Sequence, residues 1–125
     1  MTVGTGIGGC IIIDDKIFRG FYGSACEVGY INVMGHKFVQ MAASSILVKK
    51  VSESRLISID QINGKQIFEE ALAGAEDCIQ AIDKMVDYLG MGIADICYIL
   101  NPEIIVLGGG DRKSTRLNSS HKTHL

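Results

Sequence analysis

No apolar run in this chain reaches the ~18 residues that a membrane-spanning helix needs, although hydrophobic residues make up 47% of its 125 positions. Membrane insertion by a helix is therefore not expected. Cysteine occurs four times, at Cys10, Cys26, Cys78 and Cys97, with no Cys-x-x-Cys pair and no secretory leader ahead of them. That pattern reads as reduced thiols in a cytoplasmic protein rather than a disulfide framework. Basic residues are also scarce in the body. Setting aside residues 111–125, which hold Arg112, Lys113, Arg116 and Lys122 against Asp111, leaves eight basic and thirteen acidic residues, a net charge of −5. Such a body is a poor nucleic-acid surface, because phosphate contacts need clustered Lys and Arg. Proline occurs once, at Pro102, and no internal repeat is present. The length allows one modest hydrophobic core and does not call for a second domain.

What the chain has in excess is glycine, fifteen residues in all. They crowd the N-terminal quarter and form a run at Gly108, Gly109 and Gly110, marking places where backbone turns tightly or approaches something closely. Between these clusters the apolar periodicity changes. Ile7 to Ile13 is β-branched, Asp14-Asp15 is turn chemistry, and Lys16 to Arg19 predicts the second arm of a hairpin. Gly20 to Gly29 predicts a loop, running into a short strand over Tyr30 to Val33. Helical spacing follows from Phe38 to about Val51, and a shorter helix is predicted after Asn63-Gly64, closing near Gly74. From Cys78 to Leu100 apolar residues advance by three and four, which predicts a long, central, buried helix stopped at Asn101-Pro102. Ile104 to Leu107 then predicts a buried strand, and a strand that follows a helix directly and ends in glycines is the joint of an α/β sheet.

Gly4-Thr5-Gly6-Ile7-Gly8-Gly9 is not a dinucleotide fingerprint, since it runs straight into a strand rather than opening a helix. Nor is it a Walker loop, for it lacks the Lys-Ser/Thr pair. Its residues permit a glycine turn whose backbone N–H groups, with the Thr5 hydroxyl, face a phosphate; a plain tight hairpin or bulge is the alternative. Glu27 stands among small residues in GSACEVG, which leaves room for a ligand. A carboxylate can accept from two hydroxyls at once and so suits vicinal sugar hydroxyls, against the alternative of a solvated loop acid.

Taken together and in order, TVGTGIGG, IIIDDKIFRG, GSACEVGY and NPEIIVLGGG resemble the ROK family of sugar kinases and their repressor relatives, over essentially residues 1–110. The resemblance implies an α/β protein of the actin-like (ribonuclease H-like) ATPase fold, of which this chain would supply part, mostly the C-terminal domain. It further implies ATP with Mg²⁺ as cofactors and a small-molecule sugar as substrate, with a homodimer as one expected state of the parent protein; the expectation of no nucleic-acid partner rests on the acidic body instead. Gly4, Thr5, Gly6 and Gly8 match the phosphate-binding segment, and Gly108, Gly109 and Gly110 the glycine turn beside adenosine. Glu27 matches the glutamate that binds sugar hydroxyls. Tyr30 stands where many members have a histidine, and Gln40 where a second sugar-contacting glutamate is usual. The family's zinc-binding cysteine cluster has no counterpart here, so zinc is not expected. These departures resemble the zinc-lacking branch whose members act on glucosides, N-acetylmannosamine or related hexoses.

The family's Asp-x-Gly-Gly-Thr loop and the aspartate base are expected upstream of Met1, so no catalytic residue is assigned within the chain, and the chain alone is expected to be inactive and marginally stable. Residues 111–125 are abruptly polar. Asp111 to His121 resembles the translation of a common sequencing adapter, so this stretch is expected to be artefactual or, failing that, a disordered tail. The leading expectation is part of an ATP-dependent hexose or glucoside kinase. A sugar-sensing repressor domain and a decayed pseudokinase are the alternatives.

Overall fold

The computed structural model describes residues 1–109 and 121–124. Its β-strands are short and paired in four two-stranded antiparallel sheets. β1 (Thr2–Val3) pairs with β2 (Ile7–Gly8), and β3 (Ile11–Ile13) with β4 (Lys16–Phe18). β5 (Asn32–Val33) pairs with β6 (His36–Lys37). The predicted hairpin is present, turned by Asp14 and Asp15 at φ 51° and 62°. Positive φ at both central residues is the primed turn whose twist matches the strands, and Asp tolerates it. The strand expected over Ile7 to Ile13, however, is broken at Gly9-Cys10. Here the Cys26–Val28 segment presses on the chain: a side chain at Gly9 would lie 2.7 Å from Cys26 Sγ and 3.0 Å from Val28 Cγ2.

Four helices follow: α1 (Phe38–Ala42), α2 (Ser44–Arg55), α3 (Gly64–Leu72) and α4 (Glu76–Leu100). The predicted helix from Phe38 divides at Ala43, whose extended backbone (ψ 147°) separates α1 from α2. α3 starts where the sequence indicates. The Asn63 side chain accepts from the Gln66 N–H at 2.9 Å, and the Gln66 side chain accepts from the Asn63 N–H at 2.9 Å, a capping box. α4 ends at Asn101 in the left-handed region (φ 44°), one residue before Pro102.

The core has two parts. Ile7, Val28, Val33, Phe38, Ala42 and Ala43 join the β-rich segment to α1 and α4. Leu47, Val51, Ile62, Ile67 and Cys78 fill the space among α2, α3 and α4. α4 is the long helix predicted, but it is not buried along its length. Only Cys78 and Gly92 are fully covered, while Tyr98 and Ile99 are 88% and 78% exposed. Its apolar stripe is wider than the surface α1, α2 and α3 present to it. The last described strands are β7 (Ile104–Leu107) and β8 (His121–His124), paired antiparallel from Ile104↔His124 to Leu107↔His121. β7 buries Ile105 and leaves Val106 exposed, so it too is less covered than its β-branched run predicts. β8 lies within residues 111–125, the stretch expected to be artefactual or disordered, and shares only His121 with the adapter-like run Asp111 to His121. The remainder of that segment lies outside the described residues.

Candidate functional site

Two glycine segments far apart in sequence are adjacent in space. Thr2 and Gly108 form a parallel β-bridge. The Val3 N–H donates to the Gly108 carbonyl at 2.8 Å, the Gly108 N–H to the Met1 carbonyl at 2.9 Å, and the Met1 amino group to the Val106 carbonyl at 2.7 Å. β1 and the end of β7 thus run side by side. The loop that leaves β1 and the turn that leaves β7 emerge together, at the C-terminal ends of parallel neighbours, where open α/β sheets take ligands. Gly109 (φ 137°) lies so close to the Val3 carbonyl that no side chain fits between them. By contrast, a Cβ at Gly4, Gly6 or Gly108 would meet nothing within 4 Å. These three backbones face open space. Gly110 lies outside the described residues.

From behind, the loop is fixed by α2. The Ser44 N–H donates to the Gly4 carbonyl and the Ser45 hydroxyl to the Thr5 carbonyl, both at 2.8 Å. The Gly4 N–H is itself engaged, donating to the Gly6 carbonyl at 2.9 Å, so it is not one of the donors turned outward. Thr5 and Gly6 are exposed, and a side chain at Gly8 would come within 2.9 Å of Thr2 Oγ1. The positive end of the α2 dipole therefore sits beneath the Gly4-Thr5-Gly6 turn. Sequence reasoning missed Ser44 and Ser45. Their signal was a Ser-Ser pair inside what read as one continuous helix; the break at Ala43 turns them into a helix start.

Glu27 precedes a 3₁₀ turn, Val28–Tyr30, and its carbonyl accepts from the Tyr30 N–H at 3.1 Å. Its side chain is exposed. The turn is seated on β2 through Gly29, where a Cβ would come within 2.8 Å of the Ile7 carbonyl. Glu27 and the Gly4-Thr5-Gly6 loop consequently sit on elements in direct contact. Tyr30 is exposed, with the Lys37 ammonium 5.3 Å from its ring centroid. Gln40 lies on α1, and its Oε1 accepts from the Lys37 N–H at 3.2 Å. That oxygen caps α1, which leaves the amide NH₂ as the group free of capping. Tyr30, Lys37 and Gln40 form one exposed polar group. Nothing described joins it to Glu27 except the 3₁₀ turn itself.

Burial pushes the Cys26 thiol above its ordinary pKa, with Cys10 and Glu27 adding to the rise and the chain's amino group opposing it. A second polar cluster lies elsewhere, where α2 meets α3 and α4. Arg55 grips Asp77 through Nε at 2.6 Å and through its terminal nitrogen at 3.1 Å, and donates to Glu70 at 2.8 Å. Hydrogen bonds from Arg55 hold the Asp77 carboxyl down at about 2. The cluster closes over the buried Cys78 and ties three helices together. Among the described residues no group of three or more His, Cys, Asp or Glu is placed to hold a metal ion, and no helix is long and apolar enough to cross a membrane.

The ROK family model matches residues 1–123. The chain is 34% identical over 128 residues to the xylose repressor of Caldicellulosiruptor bescii, covering 86% of this chain and 32% of that protein. It is 30% identical over 136 residues to the glucokinase of Halalkalibacterium halodurans, covering 91% and 41%. Among solved structures, a ROK family protein from Streptococcus pneumoniae in complex with sucrose superposes with a TM-score of 0.83 at 32% identity, covering 92% of this chain and 41% of that one. A ROK family glucokinase from Streptomyces griseus in complex with glucose and AMPPNP gives 0.76 at 30% identity, covering 87% and 43%. The chain thus spans about a third to two fifths of the length of these proteins.

Proposed function

The chain belongs to the ROK family, and from that membership we propose that it is part of an ATP-dependent kinase that phosphorylates a hydroxyl of a hexose or glucoside. Its fold is a partial, mixed α/β form of the actin-like ATPase fold seen in ROK kinases. The observation that carries the reading is the parallel bridge of Thr2 to Gly108, which sets the Gly4-Thr5-Gly6 loop beside Gly108-Gly109 with open space over Gly4, Gly6 and Gly108. Backbone without side chains, above the positive end of a helix, suits a polyphosphate.

On this reading Gly4, Thr5, Gly6 and Gly8 hold the phosphates of ATP, and Gly108, Gly109 and Gly110 lie along its adenosine. ATP, with Mg²⁺, supplies the phosphoryl group to be transferred. Glu27 accepts from two sugar hydroxyls and so fixes the ring; Tyr30 and the Gln40 amide border the same substrate. No residue of this chain is assigned to Mg²⁺, and zinc has no place in the scheme. The aspartate base is placed on a part of the parent protein that these 125 residues do not cover. Residues 1–110 act as the kinase portion, residues 111–125 remain outside it, and the parent is a cytoplasmic homodimer without a nucleic-acid partner.

The test is a parent protein carrying this segment, assayed with ATP, Mg²⁺ and a panel of hexoses. Glu27→Ala is expected to raise the sugar KM and lower kcat/KM about a hundredfold, with ATP affinity unchanged. An equal loss of ATP affinity would place Glu27 in the wrong half of the cleft. A second reading, the sugar-sensing domain of a repressor, is favoured by the identity to a xylose repressor. Titration with AMPPNP separates the two, because a pure sensor gives no heat of nucleotide binding.

A further inference from the structure

All three carbonyls of the Gly4-Thr5-Gly6 loop are occupied. The Gly4 carbonyl accepts from the Ser44 N–H and the Thr5 carbonyl from the Ser45 hydroxyl, both at 2.8 Å, while the Gly6 carbonyl accepts from the Gly4 N–H at 2.9 Å. The Thr5 and Gly6 N–H groups, by contrast, make no hydrogen bond among the described residues. In a planar trans peptide the C=O of one residue and the N–H of the next point in opposite directions. Holding the Gly4 and Thr5 carbonyls toward α2 therefore turns the Thr5 and Gly6 N–H groups away from it. An anion on that side meets two successive donors and no acceptor, as in a backbone nest.

The two anchors on α2 differ in kind. Ser44 offers a main-chain N–H, which any residue except proline would supply. Ser45 offers a side-chain hydroxyl, and its bond is the one that falls on the peptide between Thr5 and Gly6. That peptide is poorly fixed by its own chemistry, because it leads into a glycine, for which either sign of φ is accessible. Turned over, it would set the Thr5 carbonyl where the Gly6 N–H stands, replacing a partial positive charge with a partial negative one at the same place. The Ser45 hydroxyl opposes that rotation.

We infer that Ser45 is a positioning residue for the nucleotide: its hydroxyl holds the Thr5–Gly6 peptide in the orientation that offers the Gly6 N–H to a phosphate. The inference rests on the kinase reading above and adds to it a side chain that acts through the loop rather than on a substrate. Its influence is confined to the phosphates, since neither the turn at Gly108-Gly109 nor the Glu27 segment is bonded to Ser45.

Calorimetric titration of the parent protein with AMPPNP tests this. Ser45→Ala removes the donor, and alanine is the better helix former, so folding is not put at risk; far-UV circular dichroism checks that it is not. Loss of this one hydrogen bond is expected to raise the AMPPNP dissociation constant and the KM for ATP about fivefold or more, with the sugar KM unchanged. Adenosine carries no phosphate, and its dissociation constant, read by displacement, is expected to stay the same, whereas a general loosening of the fold would weaken it as well. Ser45→Thr keeps a hydroxyl and is expected to restore AMPPNP affinity to within about twofold of wild type. Unchanged AMPPNP binding by Ser45→Ala overturns the inference, as does an equal loss for adenosine or a Ser45→Thr variant as weak as Ser45→Ala. A wild-type parent that binds no AMPPNP overturns the kinase reading itself, and the inference falls with it.

Discussion

The two halves of the core are built on different principles. Around Leu47, Val51, Ile62, Ile67 and Cys78, large side chains from three helices meet and fill space in the ordinary way. Around Ile7, Val28 and Phe38, contact depends on missing side chains: Gly29 lets the 3₁₀ turn sit on the Ile7 carbonyl, and Gly92 lets α4 close on the Phe38 ring. The helical half is therefore vulnerable to lost volume, whereas the glycine half is vulnerable to added volume as well. It is the glycine half that carries the candidate site. Backbone that must approach a ligand closely also has to be held closely, and the same residue type serves both ends.

Substitutions can sharpen this contrast. The largest effect is expected at Phe38, fully buried and packed against Gly92. Phe38→Ala should cost about 4 kcal/mol and Leu47→Ala, in the other half, about 3 kcal/mol, read from urea unfolding. Adding one methyl should then separate the halves. Gly29→Ala drives a Cβ against backbone and is expected to cost about 2 kcal/mol. Equal tolerance of Gly29→Ala and of an exposed substitution would end the distinction.

Acid provides a test confined to the helical half. The Asp77 carboxyl is held at about 2, below its unfolded range, by Arg55. A depressed carboxyl contributes stability that is present above an unfolded pKa of about 3.9 and is lost as pH falls toward the folded value. The pair is partly exposed, with side chains 27% and 36% accessible, so solvent screens it and the effect is modest. Arg55→Met should remove this acid sensitivity. The difference in unfolding midpoint between wild type and variant should shrink from pH 5 to roughly pH 2, and a difference that holds constant would show that the Arg55 contacts act through packing alone. The smallest expected effect is a gain. Gly64 is the first residue of α3 and a Cβ there meets nothing within 4 Å, so Gly64→Ala should stabilise by about 0.5 kcal/mol.

Much of this fold is legible in the sequence alone. The periodicity from Cys78 to Leu100 located α4, Asn63-Gly64 located the start of α3, and Asp14-Asp15 located the hairpin turn, because each rests on contacts within a few residues along the chain. The break at Ala43 was not legible. Its neighbours keep helical spacing on both sides, and the reason for the break is that Ser44 and Ser45 bond to the Gly4 and Thr5 carbonyls some forty residues away. The burial of α4 and β7 was overestimated for a related reason: an apolar pattern records what a surface can cover, not what lies against it in this chain.

By itself the sequence determined the family, the β3–β4 hairpin, the start of α3, the long α4 and the strand after it, and which residues are chemically suited to a phosphate or a hydroxyl, since motif order and short-range spacing settle such matters. The strand expected over Tyr30 to Val33 is instead a 3₁₀ turn, Val28–Tyr30, followed by the short β5. Tertiary structure alone decided that the loop at Gly4 and the turn at Gly108 share one edge. Their meeting depends on a parallel bridge between residues more than a hundred positions apart, closed by hydrogen bonds from backbone groups that every residue possesses and that no side-chain pattern records.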